Sequence, residues 1–452
     1  MRVRLGLVLG LYLIAATLFA LRTPRWQAPD EPAHFNYVRS LAQRGQLPLL
    51  IPGCYPADYL AELTSRHFPP TLTIDTLCYE AYQPPLYYLL AAPVARAATA
   101  LGRDPLVFLR LFSVLIGAGV VLASAGLVRE LFPGRPFLAV GVAGLVATVP
   151  MHLTFLSAVN NDGLAELLLI LSVWQMLRLL RLPEDRSGWL QLGVLLGLGL
   201  ITKPTTSIAL PLAGLAVVLA GTSVRRSLVS VVRPAALAFG VALLFILPWF
   251  VRNSLAYGGL DVLGLKRHDA VVVGQLRTQQ RLAERGVPGY LKDFALTTFH
   301  SFWGQFGWMA APLPGWSYTL LAGFTGVCVV GLVLFFRRVS TDGATDETHE
   351  RIEDEVKPLL SARQRQGLAM LGAWIVLNLA LYLFYNLSFV QFQGRYLFPS
   401  LTAIVTFLLL GWSEWIARRY RALALGLLLV AFWVLDLWSL FTIIIPLLTP
   451  GT

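Results

Sequence analysis

Stretches of about 20 predominantly apolar residues recur along the whole chain, separated by short charged or Pro/Gly-rich connectors. A helix that crosses the hydrocarbon core of a bilayer needs a stretch of about that length. The backbone must satisfy its own hydrogen bonds there, so a long apolar stretch of this kind favours a helix. The pattern therefore predicts an all-α polytopic membrane protein with about eleven transmembrane helices. The predicted spans are 5–21, 106–128, 137–157, 163–181, 188–202, 205–221, 235–251, 316–336, 366–386, 396–416 and 422–446.

The composition supports a membrane-embedded chain and argues against a nucleic-acid-binding one. Apolar residues make up 56% of the 452 residues and charged residues 13%, whereas soluble globular chains carry about 25% charged residues. The net charge of +11 does not indicate nucleic acid, because most Lys and Arg lie in clusters at the ends of apolar segments. We therefore expect one membrane domain over residues 1–452, surrounded by membrane lipids, with no nucleic-acid partner.

The orientation of the spans depends on the stretch 86–101, which could cross the membrane or lie along its surface. If it lies along the surface, every interior Arg cluster falls on the cytoplasmic side, as the positive-inside rule asks. Pro93 and Arg96 also suit an amphipathic interfacial helix, although a short kinked span stays open. The N-terminus is then cytoplasmic, on a first helix that is retained. The connecting regions expected in this arrangement are a first external loop at 22–103, a second at 252–315 and a flexible cytoplasmic loop at 340–365.

The first external loop opens with an acidic pair, Asp30 and Glu31, followed by Pro32 and His34. One interpretation is a capped helix start, because an acidic residue suits the N-cap and proline suits the first turn. The other is a general base at the membrane surface, because adjacent carboxylates repel and a neighbour can tune one of them. His34 lies one helical turn from Asp30, so a hydrogen-bonding role and a metal-ligand role both stay open.

Further polar residues fall on the same side of the predicted membrane. Glu80 and Gln83 precede a Pro-Pro pair where a sugar or phosphate could dock, although the tyrosines around them also suit the headgroup level of a bilayer. Asn161 and Asp162 open the fourth span, where helix capping is the alternative explanation. Glu166, one turn further on, needs a cavity or a partner, because a carboxylate inside a membrane is otherwise costly.

Four cations lie at the external ends of spans, where the positive-inside rule does not expect them: Arg110, Lys203, Arg252 and Arg395. Opposite a carboxylate pair, such cations suit a phosphate that becomes a leaving group. Snorkelling of their side chains to lipid headgroups is the alternative.

Three residues of the external loops complete the candidates. Trp303 belongs to an aromatic run that could line a sugar site or anchor the loop at the membrane interface. Cys54 and Cys78 both fall in the first external loop, on the oxidising side of the membrane. This placement suggests a disulfide, although the sequence cannot show that their geometry permits it.

Five motifs in this order and with this sidedness resemble the GT-C superfamily of integral membrane glycosyltransferases. They are Asp-Glu-Pro-Ala-His at 30–34, Gln-Pro-Pro-Leu-Tyr-Tyr at 83–88, Asn-Asn-Asp at 160–162, Phe-Trp-Gly-Gln-Phe-Gly-Trp at 302–308 and Gly-Arg-Tyr-Leu-Phe-Pro at 394–399. More narrowly, they resemble a bacterial family of polytopic membrane proteins of unknown function within that superfamily.

The resemblance implies transfer of a sugar from a polyprenyl-phosphate donor, usually with inversion at the anomeric carbon. On that pattern Asp30 would be the general base that activates the acceptor hydroxyl, and Glu31 would assist binding of the sugar or acceptor. Lys203 and Arg395 would hold the donor phosphate. Asp162 matches a position that binds a divalent metal ion in some members, so no cofactor is certain and a metal stays open.

The principal alternative is a transporter or flippase for a lipid-linked or glycan substrate. Broken helices and midplane charges at matching positions of two repeats would favour it, but the sequence has no internal repeat and its candidate residues gather at one face. A polysaccharide polymerase or ligase and a non-catalytic scaffold are further alternatives. Together with the arrangement of the candidate residues, the resemblance implies a glycosyltransferase of the EC 2.4 class in a bacterial plasma membrane, with its site on the external side.

Overall fold

The computed structural model of the chain describes residues 1–223, 229–345 and 360–450, and these are mainly helical. The α-helices are α1 (Arg2–Arg22), α2 (Glu31–Arg44), α3 (Ala57–Ser65), α4 (Leu86–Ala100), α5 (Pro105–Leu131), α6 (Pro136–Thr148), α7 (Pro150–Leu156), α8 (Asp162–Leu179), α9 (Arg186–Leu200), α10 (Ala209–Ser223), α11 (Val229–Tyr257), α12 (Leu265–Val271), α13 (Thr278–Trp303), α14 (Gly315–Thr345), α15 (Ala362–Tyr385), α16 (Leu401–Trp412), α17 (Arg421–Ser439) and α18 (Ile445–Leu448). Strands β1 (Gln305–Phe306) and β2 (Ala311–Pro312) pair antiparallel. The turns that matter below are the 3-10 segments Tyr79–Tyr82, Pro204–Ile208 and Gly394–Ser400.

Eight helical segments of the described chain are long and apolar enough to cross a membrane, and nine if the bent pair α6–α7 counts as one span. The chain is therefore a multi-pass membrane protein, as predicted, but the count of eleven is not confirmed. Two of the predicted spans account for the difference. The helix α9 has only 15 residues, and the 18 residues of α8 include Asp162, Glu166 and Arg178.

The predicted span 137–157 is broken in two by Pro150. Helices α6 and α7 meet at an angle of 73°, because proline has no N–H to donate to the preceding turn and its ring clashes with that turn. His152 lies just after the break. Its Nδ1 lies 2.8 Å from the carbonyl oxygen of Val146, and its Nε2 lies 2.7 Å from Glu166. The carboxylate that the sequence left without a partner thus pairs with a histidine on the broken helix.

Helix α4, which covers the ambiguous stretch, has both of its ends at the same face of the helix bundle. At its start, the N–H of Leu86 donates to the carbonyl of Ile201, which follows α9. Just beyond its end, Asp104 forms an ion pair of 2.7 Å with Arg25, which follows α1. Arg96 also donates to carbonyls at the end of α2. Helix α4 therefore lies across one end of the bundle and does not run through it.

The first loop region folds into a compact layer over that end of the bundle. The rings of Tyr37 and Tyr88 stack with their centroids 3.6 Å apart, so α2 packs directly on α4. Cys54 and Cys78 form a disulfide with a Cα–Cα distance of 4.6 Å. The disulfide joins the loop after α2 to the turn that precedes α4 and so restricts how far that turn can move.

The end of the bundle under this layer is called the site face below. It carries the connectors 23–104, 157–161, 201–203, 258–314 and 386–393. The opposite face carries the short connectors 132–135, 180–185 and 413–420. There Glu130 pairs with Arg181 and Arg363, and Arg338 pairs with Glu414. Of the predicted loop 340–365, helix α14 takes the first residues, and 346–359 lie outside the described residues.

Candidate functional site

Asp30 is held in the left-handed backbone region, with φ of 67° at the N-cap position of α2. A residue with a side chain adopts this conformation at a cost, and such strain tends to persist where a side chain must be aimed. The carboxylate makes no cap hydrogen bond to α2. It accepts instead from Arg395 Nη2 at 2.6 Å and from the Tyr79 hydroxyl at 3.1 Å. Of the two interpretations of the acidic pair, helix capping therefore does not account for the side chain of Asp30.

These contacts set the charge of Asp30. Burial by itself raises the pKa of the Asp30 carboxyl, but the charge and hydrogen bond of Arg395, together with the Tyr79 hydroxyl, outweigh burial and hold that pKa below its usual range. Asp30 is thus an ionised carboxylate at neutral pH while Arg395 stays beside it.

Arg395 is positioned by a close approach of two backbones. The N–H of Gly394 donates to Ser301 Oγ at 2.7 Å, and a Cβ at Gly394 would collide with the backbone of Thr298 and Phe302 on α13. The guanidinium lies over the rings of Phe155 and Tyr396. Its Nε is buried and donates no hydrogen bond, so Arg395 retains a donor that Asp30 does not use.

A second ion pair lies at the neighbouring helix ends. Lys203 Nζ is 2.6 Å from Asp162 Oδ1, which joins the turn before the 3-10 segment Pro204–Ile208 to the start of α8. Asn160 Oδ1 accepts from the N–H of Asp162, so the side chain that caps this turn is that of Asn160. Asn161 donates to the carbonyl of Thr202 at 3.0 Å and to Gln83 Oε1 at 3.3 Å. Through Asn161 and Gln83, this pair connects to the turn that follows the disulfide.

His34 lies among both ion pairs. It is 3% exposed, and its Nδ1 lies 2.7 Å from the Tyr88 hydroxyl. Burial, and then the positive charge of Lys203, lower the pKa of His34 to about 4. His34 is therefore neutral at pH 7, and a neutral imidazole among two cations and two carboxylates can donate or accept a hydrogen bond without adding charge.

Glu80 completes the cluster on the 3-10 segment Tyr79–Tyr82. Burial, and then the negative charge of Asp30, raise the pKa of Glu80 to about 7, against the opposing effect of Lys203. Its Oε2 is buried without a hydrogen-bond partner. The structure thus brings six candidates together around His34: Asp30, Glu80, Gln83, Asp162, Lys203 and Arg395.

Glu31 faces away from this cluster. Glu31 and Arg110 are 0% and 3% exposed and form two parallel bonds of 2.6 and 2.8 Å. The remaining guanidinium donors of Arg110 go to the carbonyls of Ala20, Thr23 and Pro24. All five N–H donors are therefore used within the protein. The structure places this pair as a buried clamp between α1, α2 and α5 and leaves neither side chain free for a donor phosphate or sugar.

Arg252 and Trp303 also have partners elsewhere. Arg252 donates to the carbonyl of Pro48 at 2.6 Å and to the Tyr257 hydroxyl at 3.2 Å, so it fastens the first loop layer to the end of α11. Trp303 is 3% exposed and packs against Phe324 and Phe432. This tryptophan therefore lies in the interior between α13, α14 and α17 and not on a surface that a sugar could reach.

No group of three or more His, Cys, Asp or Glu side chains is placed to hold a metal ion within the described ranges. Asp162 and His34, the residues considered for that role, have Lys203 and the Tyr88 hydroxyl as partners. Lys203 and Arg395 supply the positive charge next to the carboxylates of this site.

Two contacts of the candidate site are not indicated clearly by the sequence. The Tyr79 hydroxyl that donates to Asp30 and the Tyr88 hydroxyl beside His34 belong to a tyrosine-rich motif that a membrane interface explains equally well. In the sequence, only their place in the same motif as Glu80 and Gln83 indicated such contacts. Phe155, under the Arg395 guanidinium, lies within an apolar span and had no signal at all.

Solved structures with a similar fold include an archaeal oligosaccharyltransferase and ArnT. The archaeal oligosaccharyltransferase AglB from Archaeoglobus fulgidus, in complex with an inhibitory peptide and a dolichol-phosphate, superposes with a TM-score of 0.53 at 15% identity, over 98% of this chain and 55% of that one. The same enzyme tethered to an acceptor peptide gives 0.51 at 15% identity, over 98% and 54%. ArnT from Cupriavidus metallidurans, bound to undecaprenyl phosphate, gives 0.50 at 14% identity, over 99% and 73%.

These likenesses show the GT-C-type fold, as the resemblance implied. The chain spans about half the length of the oligosaccharyltransferases that it matches. No curated protein matches the chain. A family model described as "Predicted membrane protein (DUF2142)" matches residues 69–405, which is well over half of the sequence. The chain therefore belongs to the DUF2142 family of membrane proteins.

Proposed function

We propose that the chain is a glycosyltransferase that moves a sugar from a polyprenyl-phosphate donor to an acceptor hydroxyl at the site face. The observation that carries this proposal is the pairing of Asp30 with Arg395 and of Asp162 with Lys203 around a neutral His34. The ligands named for the structural neighbours, a dolichol-phosphate and undecaprenyl phosphate, support a lipid-linked donor.

Lys203 and Arg395 are the candidates for the donor phosphate. Arg395 has a buried Nε donor without a partner, and arginine and lysine bind phosphate through charge-assisted hydrogen bonds. They stabilise the negative charge that grows on the phosphate as the bond between its oxygen and the anomeric carbon breaks. The prenyl chain needs only apolar surface, which the spans provide.

Asp30 is the candidate for the general base. The acceptor hydroxyl attacks the anomeric carbon, its proton passes to the Asp30 carboxylate, and polyprenyl phosphate leaves with the electrons of the broken bond. While Arg395 is bound to Asp30, that carboxylate is a poor base. A donor phosphate that takes over Arg395 removes this partner, so the pKa of Asp30 rises when the donor is in place.

The test is sugar transfer by the purified full chain in vesicles, with a set of labelled polyprenyl-phosphate sugars and membrane-derived acceptors. We expect Asp30→Asn to abolish transfer without loss of protein. Asp104→Asn is the matched control, since Asp104 pairs with Arg25 at the same face and its N-cap oxygen is kept by Asn. Transfer that survives Asp30→Asn refutes the assignment of the base. Loss of substrate transport with no change in glycan would favour a transporter or flippase.

We propose further that the site face lies outside the cytoplasm, at a bacterial plasma membrane. The short connectors at the opposite face are rich in arginine, as expected for cytoplasmic loops. Their arginines are Arg135, Arg181, Arg418 and Arg419, and others flank them at the helix ends. The disulfide on the site face also suits an oxidising compartment.

Impermeant thiol labelling of intact cells tests this orientation. We expect a cysteine introduced by Thr71→Cys to be labelled and one introduced by Ser187→Cys to be protected, because these exposed residues lie at opposite faces. The native cysteines should add little labelling, since Cys54 and Cys78 are bridged and Cys328 is buried. The reverse labelling pattern would place the site in the cytoplasm.

A further inference from the structure

Glu80 differs from the other carboxylates of the site in having an oxygen that nothing uses. Asp30 accepts two hydrogen bonds, and Asp162 is paired with Lys203. The Oε2 of Glu80 is buried and accepts none. A buried carboxyl oxygen without a donor is costly unless it carries a proton or a ligand supplies one.

The backbone around Glu80 is unusually well fixed for a loop. Cys78, two residues before Glu80, is disulfide-bonded to Cys54, and the N–H of Cys78 donates to the carbonyl of Cys54 at 3.0 Å. On the other side, the Tyr37 hydroxyl donates to the carbonyl of Gln83 at 3.2 Å. The same segment supplies the Tyr79 hydroxyl that bonds to Asp30. Glu80 and the contact to Asp30 are therefore held by one rigid turn.

The charges around Glu80 oppose each other. Asp30 is the nearby anion, and Lys203 and Arg395 are the nearby cations. The neutral groups that face it are the Gln83 amide and four tyrosine hydroxyls, those of Tyr79, Tyr82, Tyr88 and Tyr385. Burial and Asp30 prevail over the cations, so the pKa of Glu80 rises to about 7. A carboxyl with this pKa exchanges a proton readily at neutral pH, whereas Asp30 with Arg395 beside it does not.

We propose that Glu80 is the proton acceptor for Asp30, a positioning residue that takes over the proton which Asp30 removes from the acceptor hydroxyl. This inference rests on the proposed glycosyltransferase function. Before transfer Glu80 is ionised and Asp30 is ionised. After transfer the proton lies on Glu80, which returns it to water at the site face, and Asp30 is again free to pair with Arg395. The two carboxyls therefore share one proton during each turnover.

The role predicts a pH dependence with a definite sign. Glu80 must be ionised to accept the proton, so the transfer rate of the wild type should rise as pH increases through about 7. In Glu80→Gln the side chain keeps its shape but cannot take a proton. We expect the rate at pH 8 to fall by about 100-fold and the rise near pH 7 to vanish. Glu62 lies in the same loop layer and forms an exposed i,i+4 pair with Arg66. Glu62→Gln should keep both the wild-type rate at pH 8 and the rise of the rate near pH 7.

A second readout does not depend on activity. Infrared difference spectra of the full chain in lipid should show a protonated-carboxyl band that titrates near pH 7 in the wild type and is missing in Glu80→Gln. In Asp30→Asn the band should titrate at lower pH, because the anion that raises the pKa of Glu80 is gone.

The outcomes separate this inference from the function on which it rests. The role of Glu80 would be overturned if the pH–rate profile of Glu80→Gln matched that of the wild type, or if the carboxyl band of the wild type were still present in Glu80→Gln. Either result would leave the transferase proposal intact. Absence of transfer by the wild type with every polyprenyl-phosphate sugar would overturn the proposed function, and the relay with it.

Discussion

Replacing Arg110 by methionine tests whether the buried Glu31–Arg110 pair is a structural clamp or part of the donor site. Arg110→Met removes both bonds to Glu31 and leaves the Glu31 carboxylate 0% exposed with only the N–H of Val159 as donor. Removal of one partner from such a buried pair lowers the free energy of unfolding by about 3–5 kcal/mol. The three carbonyls at the end of α1 also lose their donor, at about 0.5–1.5 kcal/mol each where water does not replace it.

A double variant separates the two contributions. Glu31→Gln together with Arg110→Met removes the uncompensated charge, while the Gln oxygen can still accept from the N–H of Val159. We therefore expect the double variant to be more stable than Arg110→Met alone, by most of the roughly 3–5 kcal/mol assigned to the orphaned carboxylate.

The assay is a double-mutant cycle of equilibrium unfolding in mixed micelles, with binding of polyprenyl phosphate measured on the folded protein of each variant. The clamp predicts a large loss of stability and little change in affinity, because the guanidinium has no donor left for a ligand. The reasoning is refuted if Arg110→Met unfolds like the wild type, within about 0.5 kcal/mol, while losing its affinity for polyprenyl phosphate.

Three further changes test other parts of the structure. Gly394→Ala should strongly reduce the transfer rate, with a smaller effect on the thermal midpoint, because its methyl group would collide with the backbone of α13 and displace Arg395. A transfer rate equal to that of the wild type would contradict this. Asp436 is fully buried in the last span with both carboxylate oxygens unpartnered, so Asp436→Leu should raise the thermal midpoint, by relief of about 1–3 kcal/mol, and a lower midpoint would show a partner that the structure does not contain. Cys78→Ser should reduce transfer and shift the pH–rate profile, because the turn that holds Glu80 loses its cross-link, whereas a profile like that of the wild type would show that the remaining hydrogen bonds suffice.

The residues of the site could be predicted because a bilayer confines polar side chains to the ends of helices. Asp30, Asp162, Lys203 and Arg395 are far apart in the chain, yet each borders an apolar stretch on the same predicted side. Once the arginine clusters had fixed the alternation of the spans, all four had to lie at one face. The structure adds that they lie there as two ion pairs.

Pairing at shorter range could not be predicted, because it depends on the direction in which each side chain leaves its helix. Asp30 and Glu31 are neighbours in sequence, but Asp30 is the N-cap in the left-handed backbone region and Glu31 is the first residue of α2, so their side chains leave the backbone in different directions. One carboxylate thus points to Arg395 and the other into the interior, to Arg110. Trp303 shows the same limit, since an aromatic side chain satisfies a core, an interface and a sugar site equally well in sequence.

The arrangement of the site links donor binding to the appearance of a base. With no donor present, each cation neutralises one carboxylate, which is the less costly state for charges that are partly removed from water. A phosphate that binds to Lys203 and Arg395 competes with Asp30 and Asp162 for the positive charge of these side chains. Once it does so, Asp30 becomes more basic, and on the proposed mechanism this happens only when the leaving group is already held. We therefore expect the acceptor hydroxyl to be deprotonated only when the donor is in place.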